Sequence, residues 1–215
     1  MAKSILSSTQ KQILEILAKN SSFIKNFYLT GGTALSEYYL HHRFSEDLDF
    51  FSETDIDKLW LNVISAKICK KIGATKDIQE SFNRNLAFFK KGTAIIKTEF
   101  TYFHMTQVEK PKTINGIPID SEIDIEVNKF FTIYQKPSAI HFIDLYLLLK
   151  KYAWGELKRL ARIKFDTSID PIQLGSQLVK AKEVSDLPNL IINLPEKNWR
   201  SFFLQKAKDL KSELF

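Results

Sequence analysis

The feature that most constrains this chain is the stretch TGGTALSEYYLHHRFSEDLDFF, residues 30–51. Two glycines stand where the short apolar run Phe27-Tyr28-Leu29 gives way to a segment of helical periodicity, and two aspartates stand two residues apart beyond it. Glycines between a strand and a helix let backbone N–H groups at the positive helix terminus approach a ligand closely. Side chains alternate across a strand, so Asp47 and Asp49 project to one face while Leu48 and Phe50 project to the other, into a core. Carboxylates that close repel and raise each other's pKa unless a cation bridges them, and hard oxygen donors suit Mg²⁺. A glycine pair alone is usually a turn, and Asp-x-Asp alone is often a hydrated strand end. Joined in one strand, turn, helix, strand unit, they predict a triphosphate cradle of Gly31, Gly32 and Thr33 beside a metal pair of Asp47 and Asp49. Phosphoryl or nucleotidyl transfer needs that arrangement, because its chemistry is mostly positioning and charge neutralisation.

The rest of the chain divides by pattern. An amphipathic helix is predicted over residues 9–19, a strand over 27–29, a helix over 33–42 with Thr33 able to cap it, a strand over 47–51 and a helix over 55–70. Lys91-Gly92 between two apolar runs, 86–90 and 93–103, reads as a hairpin, and residues 110–121 read as turns. From there helices are predicted over 126–134, 138–152, 155–163, 170–183 and 196–214. The simplest architecture is α+β: a mixed β-sheet with flanking helices, residues 1–137, followed by a helical domain, residues 138–215, with the boundary near Pro137.

Further candidates follow from position. On the strand Ile96 to Tyr102, Lys97, Glu99 and Thr101 share one face, so Glu99 is a third metal-binding carboxylate if this strand neighbours the Asp pair; an exposed Lys/Glu pair on a sheet face fits the spacing equally. Asp144 lies in a helix apolar on nearly all sides and needs a partner, which Lys129 can supply. That pair either holds Lys129 toward phosphates or is an inter-helix salt bridge with no ligand. Arg43 either balances the Asp pair, grips a phosphate or is an ordinary arginine. His41 and His42 lack the spacing of a helical metal pair.

Charge points toward a polyanion. From Lys150 onward the chain has 13 Lys and Arg against 8 Asp and Glu, and before it 18 against 17, so the net charge of +6 sits almost wholly in the C-terminal third. That suits RNA phosphates as well as a solvated mixed-charge helical surface. The single Cys69 forms no internal disulfide, the first 19 residues lack the apolar stretch of a signal peptide, and no 18-residue apolar span occurs, so a cytoplasmic protein without a membrane partner is expected.

The stretch LTGGTALSEYYLHHRFSEDLDFF, through Gly31, Gly32, Thr33, Ala34, Leu35, His42, Arg43, Ser45, Asp47, Leu48, Asp49 and Phe50, resembles the first motif of the abortive-infection nucleotidyltransferase toxins of the AbiEii/AbiGii type, within the DNA polymerase β-like nucleotidyltransferase superfamily. IKTEF is similar to the second motif, with Lys97 and Glu99; DIEVNK to the third, with Lys129; FIDLYLLL to the fourth, with Asp144. Where many relatives carry Arg-Asp ahead of the fourth motif, this chain has Ile140-His141. The resemblance implies an NTP substrate, Mg²⁺, transfer of a nucleotide to an acceptor that in some members is tRNA, and a cognate antitoxin. Two other functions fit the same residues: an inactive transferase-like module that only binds nucleotide or RNA, and an NTP-dependent kinase using the same metal site.

Overall fold

Alternation at residues 47–51 produces strand β2 (Leu48–Ser52), with Leu48, Phe50 and Ser52 fully buried on one face and Asp49 on the other. In the computed structural model, which describes residues 4–81, 83–149 and 151–210, the chain divides into two compact units, Met1–Ser121 and Glu122–Phe215.

The first unit is a mixed sheet with helices. Its elements are α1 (Ser8–Leu17), α2 (Ser21–Asn26), β1 (Tyr28–Thr30), α3 (Gly31–Leu35) running into a π-helical turn (Ser36–Leu40), β2, α4 (Lys58–Ile72), β3 (Thr75–Glu80), β4 (Arg84–Lys91), β5 (Ala94–Tyr102), β6 (Lys112–Ile114) and β7 (Ile117–Ile119). Strand order is β3-β4-β5-β2-β1-β7-β6, with β2 parallel to β5 and antiparallel to β1. Helix starts follow side-chain chemistry: Ser7 and Gln10 form a capping box on α1, and Asp57 caps α4. Behind the sheet lies an aromatic core. Phe50 and Phe100 are register partners, their rings stack at 5.1 Å, and Phe27 and Trp60 close around them. These rings hold β2 and β5 side by side, which fixes what their opposite faces present.

The structure departs from the pattern in three places. The helix expected from Thr33 starts at Gly31, so Thr30 occupies the N-cap position, with no side-chain capping bond, and Thr33 lies inside the helix. β3 is polar and exposed except at the half-buried Ile78 and forms because β4 offers it a full ladder. Residues 110–121, expected as turns, hold the short hairpin of β6 and β7 around Asn115-Gly116, both at positive φ.

The second unit holds α5 (Glu122–Gln135), α6 (Ala139–Leu148), α7 (Trp154–Lys164), α8 (Pro171–Val179), a 3₁₀ turn (Lys180–Lys182) and α9 (Glu196–Asp209). Residues 211–214 of the expected last helix lie outside the described residues. The division comes at Ser121 instead of near Pro137, because α5 packs on α6, α7 and α8. Phe142, Trp199 and Phe203 form this unit's aromatic core. Among the described residues no helix is long and apolar enough to cross a membrane.

Candidate active site

β2 lies between β1 and β5, so Asp49 faces Glu99 on one side and Thr30 on the other. Asp47 immediately precedes the strand and shares Asp49's face. The sheet thus brings the two aspartates and Glu99 onto one face, and the glycine turn joins them. Gly31 has φ +70°, and a Cβ there would come within 2.5 Å of Asp49 Oδ2. Only glycine tolerates both the left-handed backbone and that approach. At Gly32 the space a side chain would need is filled by the Arg43 guanidinium, with Ser45 Oγ beside it at 3.0 Å. Each glycine therefore makes room for a side chain of the same motif.

Two of the cradle candidates are engaged with the fold itself. Thr33 is fully buried and its hydroxyl donates to the Asp47 carbonyl, tying the start of the helix to the start of β2. Arg43 is 5% exposed and donates to the Phe44 carbonyl at 3.0 Å while packing on Gly32, a brace for the turn.

Two cations of the protein itself answer the acid repulsion. Lys97 Nζ lies 2.5 Å from Asp47 Oδ2, and Arg84 grips Glu99 through two bonds, Nε to Oε1 at 2.6 Å and Nη2 to Oε2 at 2.5 Å. Thr101 adds a hydroxyl to Glu99 Oε1 at 2.8 Å. The Glu99 hydrogen bond raises the Arg84 pKa most, burial opposes it, and the charges of Glu99, Asp49 and Asp47 add to the rise. For Lys97 burial pulls downward most strongly, but the Asp47 hydrogen bond and the charges of all three acids outweigh it, leaving the ammonium above the usual lysine range. Among the described residues no three His, Cys, Asp or Glu side chains stand grouped to hold a metal ion as they are. The donors nonetheless fit one by chemistry: three carboxylates on one sheet face, each of the hard type that Mg²⁺ takes, two of them engaged by displaceable cations.

Spacing did not reveal Arg84, Thr30 and Asp120. Thr30 Oγ1 donates to Asp120 Oδ2 at 2.6 Å, and the Asp120 amide donates to the Leu29 carbonyl at 2.9 Å, so the polar row runs Glu99, Asp49, Thr30 across three strands to Asp120, just past β7. Strand alternation beginning at Arg84 would have placed it on the Glu99 face, but the polar turn ahead of it hid where β4 starts.

In the helical unit the expected Lys129–Asp144 pair forms, at 2.8 Å, with the lysine side chain 9% exposed and the aspartate 0%. His141 Nδ1 lies 3.4 Å from the same ammonium and accepts from it. A second pair, Lys164 with Asp124 at 2.5 Å, is still more buried.

Comparisons with known proteins bear on the family and the fold. The family model described as "Nucleotidyl transferase AbiEii toxin, Type IV TA system" matches residues 12–212. The uncharacterized protein aq_aa25 of Aquifex aeolicus (strain VF5) is 32% identical over 164 residues, 74% of this chain and 76% of that protein. The fold is similar to the crystal structure of a candidate nucleotidyltransferase of H. pylori, with TM-score 0.63 and 18% identity over 97% of both chains. It is similar also to MenT4, a nucleotidyltransferase toxin of Mycobacterium tuberculosis H37Rv, with TM-score 0.58 and 14% identity over 94% of this chain and 81% of that one.

Proposed function

We propose, from the premise that the chain belongs to the AbiEii nucleotidyl transferase toxin family, that this nucleotidyltransferase uses Mg²⁺ to move a nucleotide from an NTP onto an RNA hydroxyl, with tRNA as the acceptor. Asp47, Asp49 and Glu99 would hold the metal, which when bound neutralises phosphate charge and eases loss of the acceptor proton. The backbone at Gly31 and Gly32 cradles the triphosphate at the start of α3, where N–H groups have no partner within the helix. Glu99 takes the proton as the acceptor oxygen bonds to the α-phosphorus and the bond to the β-phosphate oxygen breaks, releasing pyrophosphate. Lys97 balances charge beside Asp47. Arg43 and Thr33 keep the turn in shape.

The observation that carries this reading is the register: Asp49 lies against Gly31 on one side and opposite Glu99 on the other. The basic excess of residues 150–215 supports a polyanionic acceptor, and the toxin family supports a cognate antitoxin partner. The test is incorporation of labelled NTP into bulk tRNA by wild type and Asp49→Ala. Labelling falls by about 10³-fold or more in the variant, with pyrophosphate as co-product. Equal labelling sinks the assignment. Nucleoside diphosphate as co-product replaces it with a kinase, and nucleotide binding without turnover and indifferent to Mg²⁺ replaces it with a binding module.

A further inference from the structure

Building on the metal-site reading above, we propose that Arg84 exchanges partners: it holds Glu99 until a divalent cation takes the carboxylates, then passes to the phosphates of the nucleotide. The two Arg84 bonds and the Thr101 hydroxyl occupy three of the roughly four lone-pair positions of the Glu99 carboxylate. With Arg84 in place, Glu99 has little capacity left for a cation or a proton. One of the two must move, and the structure shows which. Glu99 stands within β5, held by register between Asp49 and Leu86, with its side chain 11% exposed. Arg84 stands at the first residue of β4 with its side chain 54% exposed, so its guanidinium can swing through water while Glu99 stays.

Charge supplies the direction. Lys97 and Arg84 offset Asp47 and Glu99 as the site stands, so these two cations are taken up by carboxylates and not offered to a triphosphate. A divalent ion adds two positive charges to the cluster. The carboxylates then no longer need both cations, and an incoming polyphosphate does. Arginine suits the second role because its fork meets phosphate oxygens in the same parallel, two-bond manner in which it meets Glu99. Nη1 is not used by Glu99 and points to where such a contact begins. Metal binding and nucleotide binding are thereby coupled through one side chain, and nucleotide is disfavoured in the metal-free site.

The experiment uses the full chain and Mn²⁺ as the probe, followed by electron paramagnetic resonance without nucleotide. Arg84→Gln binds Mn²⁺ about tenfold more tightly than wild type, since no guanidinium competes for Glu99, whereas Asp49→Asn largely abolishes binding. At saturating Mn²⁺, Arg84→Gln binds a non-hydrolysable NTP about tenfold more weakly, and Arg84→Lys, which keeps the charge without the fork, falls between. On the unaltered chain, phenylglyoxal labelling of Arg84, read by peptide mass spectrometry, speeds up when Mn²⁺ is added and slows when nucleotide follows. Unchanged Mn²⁺ affinity in Arg84→Gln, or labelling indifferent to Mn²⁺, overturns the partner exchange and leaves the metal site standing. Mn²⁺ binding that ignores Asp49→Asn overturns the metal site itself, and the exchange with it.

Discussion

Lys97 meets Asp47 at 2.5 Å with side chains 28% and 41% exposed, and Lys164 meets Asp124 at the same distance with 1% and 0%. Equal geometry has opposite consequences. A wet pair contributes about 0–1 kcal/mol and its members exchange partners readily. A dry pair is held together by necessity, because either charge alone would keep a desolvation cost of several kcal/mol. The sheet pairs Lys97 with Asp47 and Arg84 with Glu99 on a partly open face, while the helical unit matches Lys164 to Asp124 and Lys129 to Asp144. Proximity to a cation therefore says little about a carboxylate's role. How replaceable that cation is says more. Glu126 is the exception within the helical unit: it is fully buried and neither oxygen has a hydrogen-bond partner. Burial chiefly, then the charge of Glu122, pushes its pKa up to about 8, with Lys151 pulling the other way.

The contrast can be broken most forcefully at the dry pair. Asp124→Asn strands the Lys164 charge and lowers stability by about 3–5 kcal/mol in urea unfolding; a loss no larger than that of a surface pair would erase the distinction. Next comes Glu126. The native state keeps its proton between the ordinary carboxylate pKa and about 8 while the unfolded chain gives it up, so stability falls as pH rises through that window and is flat above it. At about 1.4 kcal/mol per unit, softened by local water entry, the fall is roughly 2–4 kcal/mol. Glu126→Gln removes that slope, and identical pH profiles for variant and wild type would show that Glu126 has a partner in solution. Smaller again, Gly31→Ala costs about 1–3 kcal/mol from its left-handed backbone. It also pushes Asp49 aside, so Mn²⁺ affinity drops with it. Unaltered metal affinity would detach the glycine turn from the acid pair. Least affected is Arg84→Gln, which shifts stability by under about 1 kcal/mol in a thermal melt. A larger loss would make the sheet network as structural as the helical one.

Much of the site was legible because it is local. Asp47 and Asp49 were assigned to one face by strand alternation, Glu99 joined them only on the condition that its strand was a neighbour, and the Lys129–Asp144 pair followed from a carboxylate in an apolar helix needing a partner. The β6–β7 hairpin was missed although Ile114-Asn115-Gly116-Ile117 carries the turn signal, because the strands hold three residues each and show no measurable period. β3 left a single apolar residue, Ile78, and so no alternation to read, since an edge strand can be largely polar when its ladder comes from a neighbour. Arg84 was invisible for a related reason: its meaning depends on which strand lies beside β5.

By itself, then, the order of residues determined the two unit types, the glycine turn, the acids on a common face and the apolar faces opposite them, because turn chemistry and side-chain period act over a few bonds. Only the tertiary structure decided that β2 lies between β1 and β5, that Gly31 yields to Asp49 and Gly32 to Arg43, and that Arg84 and Lys97 meet Glu99 and Asp47. Those are pairings between segments up to 50 residues apart, as between Asp47 and Lys97. They follow from closing a shared aromatic core, which no local pattern encodes.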